Sequence, residues 1–303
     1  MLTQRVEITN LNAESPTENR RIQAFSGLPH SRELSENMPY PFYLNGEILT
    51  NTELHLPTDD RGFRFGDGLF ETIILNGHGP GVIPYHLERL TEGFRCLGMK
   101  PEAVPTTLEL VEIINKLTPD NDNGRSRIRI FAWRKGGGLY APLSDEANLV
   151  VTWAPAPEAK EIPPAKVGIC ESTVLVRTAF SHCKTISALP YVMAGAERDR
   201  KGLDDLILLD AFGNVSECVS SNIFWKAEGV WFTPSLDTGC VAGVTRRRIL
   251  EMADAKGITI KETRRPIRSL LMAESVFTAN TGGLRNIVEL EGKRFPKRER
   301  LTP

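Results

Sequence analysis

Three observations predict a mixed α/β (α+β) protein of two domains. Segments with strand period alternate with segments of helix period along most of the chain. The 303 residues suffice for two domains of ordinary size. One Pro- and Ala-rich stretch, "APAPEAKEIPPA" at 154–165, reads as a linker. The expected organisation is a polar, aperiodic extension over 1–38, a small N-terminal α/β domain over 39–155, a linker at 156–165 and a larger C-terminal domain over 166–303.

The elements follow in chain order. "YPFYLNGEIL" reads as a hairpin turning at Asn45-Gly46, a pair that tolerates the backbone of a tight turn. "RGFRFGDGLFETIILNG" (61–77) opens in a glycine-dense turn and continues as a strand through "LFETIIL". "PYHLERLTEGFRCLGM" (84–99) places Leu87, Leu90, Phe94 and Leu97 on one helical face, and a second helix is expected over 107–117. "RSRIRIFAWR" (125–134) alternates, with Ile128, Ile130 and Ala132 on one side, and "ANLVVTWAP" (147–155) follows as a strand. Beyond the linker, strands are expected at 166–176, 205–210, 218–226 and 274–280. Helices fit 187–201, where Leu189, Val192, Met193 and Ala196 align, and 244–256.

Composition excludes several classes of protein. Hydrophobic residues make up 41% and charged residues 25%, which describes a globular chain with a core. A formal net charge of -1 gives no broad attraction to nucleic acid or anionic membrane. Cys96, Cys170, Cys183, Cys218 and Cys240 are odd in number and scattered, with no C-x-x-C pair, so neither a disulfide framework nor a metal site is expected. That usage fits a reduced cytoplasm. "MLTQRVEITN" lacks the apolar centre of a signal peptide, and no run approaches the ~20 apolar residues of a membrane span.

Several segments carry possible chemistry. Lys184, in "AFSHCKTISALPYVMAG" (179–195), has small, hydroxylated and apolar neighbours and no carboxylate along the chain until Glu197. It is either an ordinary surface charge or an amine placed in a dry pocket. In "CVAGVTRRRIL" (240–250), Gly243 precedes a helix that begins with Val244 and Thr245. Such a start is a phosphate seat or a plain helix cap. "FTANTGGLRN" (277–286) runs a strand into Asn280, Thr281, Gly282 and Gly283, which is a donor-rich turn or an ordinary loop. Arg89 stands beside the apolar face of its helix, free to reach inward or into solvent. Glu217, in "DAFGNVSECVSSNIFW" (210–225), can pair with a ring nitrogen or cap a turn. Together, without a metal signature, these segments suggest a phosphorylated organic cofactor.

In order along the chain, "RGFRFGDGLFET", "HLERL", the lysine of "HCKTISALPYVMAGAERDRKGLDDLILLD", "GNVSECVSSNIF", "GVTRRRIL" and "ANTGGLRNIV" resemble the motifs of the fold-type IV pyridoxal 5′-phosphate enzymes, the class IV aminotransferase family. The resemblance covers about Phe42 to Val288. It implies two mixed α/β domains with the cofactor site between them. It further implies that Lys184 forms the Schiff base with the cofactor, that Glu217 contacts the pyridine nitrogen, and that Arg89, Val244, Thr245 and Thr281 contact the phosphate. Ser221 and Asn222 then line the ring, and Asn280 belongs to the same binding set. Phe70, Arg134 and Tyr140 are the implied substrate contacts, the last two from a loop that reaches a substrate carboxylate in its own site or, in a dimer, in that of the partner subunit.

The same resemblance implies a homodimer acting on a small amine or amino acid. Within the family, "LDTGCVAGVTR" and the Asn280-Thr281 pair resemble the 4-amino-4-deoxychorismate lyases, which make 4-aminobenzoate for folate synthesis. "WRKGGGLYAP" (133–142) lacks the Arg-x-His pair of the D-amino-acid branch. A branched-chain or D-amino acid aminotransferase is the alternative activity.

Overall fold

The computed structural model describes residues 40–50, 56–77, 81–119, 124–157, 162–295 and 299–303. The expected extension over 1–38 and the middle of the expected linker lie outside them.

The first half of the chain builds one antiparallel sheet. β1 (Phe42–Leu44) and β2 (Glu47–Leu49) pair across the turn at Asn45 and Gly46, both of which have positive φ, as the sequence predicts. α1 (Arg61–Phe65) leads into β3 (Gly68–Asn76). α2 (Ile83–Leu97) and α3 (Thr107–Leu117) follow, then β4 (Arg125–Arg134) and β5 (Ala147–Pro155). The strand order is β2-β1-β5-β4-β3. Ile73, Ile128, Ile130 and Val151 pack from the sheet against Leu90 and Phe94 of α2 and Leu110 and Leu117 of α3.

The helices end where local chemistry stops them. α2 begins with a proline in its first turn and closes on left-handed Gly98, while a Thr106/Glu109 capping box starts α3. The glycine-dense start of this segment is the helix α1 and not the expected turn. Asp60 accepts from the Phe63 N–H at 2.8 Å to start it, and Gly66 at φ 63 ends it. Glycine here serves as a stop signal, which is how the motif disguises a short helix.

The second half builds a mixed sheet. Its elements are β6 (Ala165–Ile169), α4 (Leu189–Lys201), β7 (Asp205–Leu209), β8 (Val215–Cys218), β9 (Asn222–Ala227), β10 (Val230–Pro234), α5 (Val244–Ala255), β11 (Ile260–Thr263), α6 (Ile267–Leu271), β12 (Ser275–Asn280), β13 (Gly283–Leu290) and β14 (Lys293–Arg294). The order is β11-β10-β9-β12-β13-β6-β7-β8, with β14 on β13. The pairs β10/β11, β13/β6 and β6/β7 are parallel and the rest antiparallel. Phe224 and Phe277 stack at 5.0 Å on one face, with Ile249 of α5 in the same cluster. Ile207, Ile223, Val276 and Ile287 fill another cluster.

Three expectations change. The strand expected over 166–176 stops at Ile169, because Glu197 pulls the next turn away by accepting from the Glu171 and Ser172 N–H groups. The single strand over 218–226 is two strands, β8 and β9, separated by 219–221. The aligned Leu189, Val192 and Met193 of α4 are exposed, at 67%, 61% and 47%, while Ala194 and Glu197 are buried. The anchoring of Glu197 to that backbone turn sets the rotation of α4, overriding its apolar stripe.

Candidate active site

Lys184 sits in an irregular stretch between β6 and α4, yet its backbone is fixed. Its carbonyl accepts from the Phe70 N–H at 2.9 Å, and the Ile186 N–H donates to Gly68 O at 2.9 Å. The segment thus covers the free edge of the first sheet along β3, satisfying groups that an edge would leave open. The side chain enters a cavity of about 630 Å³, with Nζ 4.3 Å from the Phe70 ring centroid. Burial pushes the amine below its ordinary value, and Arg89 acts in the same direction, against the opposing pull of Glu71 and Glu217.

Glu217 faces the same cavity from β8 and is 4% exposed. Tyr191 Oη donates to its Oε1 at 2.6 Å and the Val241 N–H to the same oxygen at 3.1 Å. Asn222 Nδ2 donates to Oε2 at 3.3 Å and to Val241 O at 2.9 Å. Burial still pushes the carboxyl up to about 7. Ser221, beside Asn222, also lines the cavity.

The α5 start forms another wall. Its N-cap is Gly243, and no side chain caps it, so the first-turn N–H groups remain available while Val244 and Thr245 line the cavity. A Cβ at 243 would run into Asn222 Oδ1, which requires glycine here. Thr281 Oγ accepts from the Ile74 N–H at 3.3 Å, joining the β12–β13 turn to β3. Asn280 shapes that turn: its Oδ1 accepts from Gly282 N–H at 2.8 Å and its Nδ2 donates to Ser220 O at 3.2 Å.

Arg89 reaches the cavity from α2. Its Nε donates to Glu71 Oε1 at 2.7 Å and its Nη1 to Ala242 O at 3.1 Å. His86 Nδ1 lies 2.7 Å from Glu71 Oε2. Burial works to raise the Glu71 carboxyl, but Arg89 and His86 overcome it and hold the group below its usual value.

The structure therefore brings Phe70, Arg89, Lys184, Glu217, Ser221, Asn222, Val244, Thr245, Asn280 and Thr281 around one space. Two expected substrate contacts do not join them within this chain. Arg134 is 5% exposed, with Nε on Asp67 Oδ2 at 2.9 Å and its other nitrogens on the Gly98 and Leu97 carbonyls, so its guanidinium is spent on holding the fold. Tyr140 is 88% exposed, its ring 5.6 Å from Phe65. Tyr191, Glu71 and His86 escaped the sequence reading. A tyrosine at the head of a helix is a weak signal until its buried partner is visible.

This arrangement defines a cofactor enzyme of amine chemistry, and comparison identifies the family. Residues 68–290 match the amino-transferase class IV family, and the chain belongs to it, a pyridoxal-phosphate-dependent family. The chain is 31% identical over 244 residues to an aminodeoxychorismate lyase of Bacillus subtilis, covering 79% of this chain and 82% of that one. It is 25% identical over 251 residues to a branched-chain-amino-acid aminotransferase of Escherichia coli, covering 79% and 81%. The crystal structure of 4-amino-4-deoxychorismate lyase from Pseudomonas aeruginosa superposes with a TM-score of 0.75 at 26% identity, covering 85% of this chain and 94% of that one.

Proposed function

We propose that this enzyme is a 4-amino-4-deoxychorismate lyase, releasing 4-aminobenzoate and pyruvate for folate synthesis. The observation that carries the reading is the single cavity onto which the Lys184 amine, the Glu217 carboxylate and the α5 N-terminus open. Phe70, Ile74, Val174, Val176 and Phe180 supply an apolar wall for a substrate ring. The 31% identical lyase relative supports the same choice.

The residues present fit pyridoxal 5′-phosphate. The Val244 and Thr245 N–H groups, the Thr245 and Thr281 hydroxyls and Arg89 form a donor set for its phosphate. The Arg89 contacts to Glu71 and Ala242 leave N–H groups of its five to spare. Glu217, steered by Tyr191, Val241 and Asn222, would meet the ring nitrogen, and Ser221 and Asn222 would flank the ring. Asn280 holds the hairpin that presents Thr281. Gly243 lines the same cavity, and the absence of a Cβ there lets the α5 start approach Asn222 closely.

When bound, pyridoxal phosphate supplies a carbonyl that joins amines and a ring that withdraws electrons. Glu217 would favour a proton on the ring nitrogen. Lys184, with its lowered proton affinity, serves as nucleophile and then as base, its Nζ taking the proton from the amine-bearing carbon of the substrate ring. Loss of enolpyruvate, which gains a proton to become pyruvate, leaves the aromatic product. Phe70 packs beside Lys184 and excludes water from that transfer.

Among the described residues no helix is long and apolar enough to cross a membrane. The five cysteines are free, in keeping with a cytoplasmic setting. Exposed Leu189, Val192 and Met193 of α4 support a homodimer that buries them.

The experiment is product analysis with cofactor-loaded protein. Rapid formation of 4-aminobenzoate from aminodeoxychorismate, with slow or no amino transfer, is expected. Fast transfer from D- or L-amino acids to 2-oxoglutarate or pyruvate without 4-aminobenzoate would replace this reading with the aminotransferase one, which the Escherichia coli relative favours.

A further inference from the structure

Cys96 and Cys183 are far apart in sequence, so cysteine spacing predicts no metal site. The fold brings them together with His182. Cys96 lies in the last turn of α2, and Cys183 and His182 immediately precede Lys184. One ligand atom from each of the three, both sulfurs and a ring nitrogen, lies within 4.8 Å of the others. His182 Nε2 and Cys183 Sγ are 3.6 Å apart. Tetrahedral zinc, with Zn–S near 2.3 Å and Zn–N near 2.0 Å, separates a sulfur and a nitrogen by about 3.5 Å.

We propose that Cys96, His182 and Cys183 form a binding site for a thiophilic divalent cation of the zinc class, with its fourth position open. Two thiolates and an imidazole are a borderline-soft donor set, and three protein ligands with a vacant position is a regular zinc arrangement. The backbone already holds the donors in place. Ala242 N–H donates to His182 O at 2.9 Å and Cys183 N–H to Phe180 O at 3.0 Å, while the Cys96 thiol donates to Ala179 O at 3.2 Å, a bond that the cation would replace.

Access and surroundings agree. Cys96 and His182 are partly exposed while Cys183 is buried, so a cation can enter from outside and finish on an inner ligand. Beside the cluster is a cavity of about 640 Å³ lined by His182, Cys183, Glu92, Arg89 and Arg95. Glu92, one turn before Cys96 on α2, brings a carboxylate to the lining of this cavity. Its pairing with Arg95, at 3.6 Å between exposed groups, is weak enough to exchange. On binding, the cation takes the place of the thiol protons, which pass to solvent.

The site lies between two elements that the catalytic chain depends on. Occupancy ties the C-terminal turn of α2 to the residue before Lys184 and stiffens the segment that must release and recapture the substrate. The cation therefore slows turnover. That consequence rests on the role proposed for Lys184, whereas the cation site itself does not.

The test titrates Cd²⁺ into reduced, pyridoxal-phosphate-loaded protein and follows thiolate-to-metal charge-transfer absorbance. One cation per chain is expected. Cys96→Ser should halve the band and weaken binding at least tenfold, and His182→Ala should weaken binding at least tenfold while keeping both thiolate contributions. Absence of the band, or a band unchanged in Cys96→Ser, would overturn the site, because the metal would then lie on another cysteine. Cys96→Ser should keep the metal-free turnover of the wild type. Zn²⁺ should inhibit the wild type reversibly on chelation and leave Cys96→Ser uninhibited. An intact band without inhibition would overturn the coupling to Lys184 and leave the cation site standing.

Discussion

Tyr191 Oη donates a 2.6 Å hydrogen bond to Glu217 Oε1, joining the first turn of α4 to β8. The bond works against burial, which pushes this carboxyl up to about 7. Tyr191 thus holds the carboxylate in place and favours its charged form; in the proposed function it is a positioning residue that acts on the cofactor ring through Glu217.

Tyr191→Phe removes the donor and leaves the volume nearly unchanged. A hydrogen bond to a charged group is worth about 1.5–3 kcal/mol, and one pKa unit is 1.36 kcal/mol. The acid limb of the kcat/KM profile should move to higher pH by about one to two units, with KM little altered. An unmoved limb would remove Tyr191 from the control of Glu217.

Glu217 also makes a prediction about stability. Its folded value of about 7 exceeds the ordinary 4.5, so the folded protein without cofactor binds the extra proton. Stability from this group is therefore complete below about 4.5 and falls as pH rises to about 7. At pH 8, cofactor-free Glu217→Gln should be more stable than the wild type, by on the order of 2–3 kcal/mol, while its turnover collapses. Urea unfolding at pH 5 and pH 8 measures the difference, which should shrink at the lower pH.

Glu71 is 1% exposed and joins Arg89 to His86. Glu71→Gln leaves the Arg89 cation without its buried partner, a change that costs about 3–5 kcal/mol in comparable pairs. Thermal unfolding should show a lower Tm. Added pyridoxal phosphate should recover part of the loss, since its phosphate offers Arg89 another anion.

Lys184→Ala should bind the cofactor without a covalent, borohydride-reducible link, as intact-protein mass would show. Turnover should fall by at least about 10²–10⁴-fold, the scale of a lost proton-transfer group. A reducible link in this variant would place the reactive amine elsewhere.

The local part of this structure was readable because its causes are local. Leu87, Leu90 and Phe94 recur at helical spacing, and all three are buried on α2. Ile128, Ile130 and Ala132 alternate and are buried in β4. The motif glycines mark helix boundaries at 66 and 243, although the helix between Asp60 and Gly66 was hidden because its start depends on a side-chain cap.

The misreadings have non-local causes. Arg134 resembles a substrate-binding arginine until Asp67 and the carbonyls of Leu97 and Gly98 converge on it from other segments. The apolar stripe of α4 promised a buried face, but Glu197 turned the helix by capping the backbone at 171–172. Neither outcome is written in periodicity, because each depends on where a charged group finds partners once the chain has closed.

By itself, the sequence determined the family, the order of its motifs and the residue types able to hold a phosphorylated cofactor. These are short segments whose spacing and backbone requirements persist in the unfolded chain. Tertiary structure alone decided which charges are free for chemistry and which are consumed. Tyr191 reaches Glu217 across 26 positions, Arg89 reaches Glu71 across 18, and Arg89 reaches Ala242 across 153. Desolvation and partner geometry set the character of each of these groups, and both come into being only when distant segments pack together.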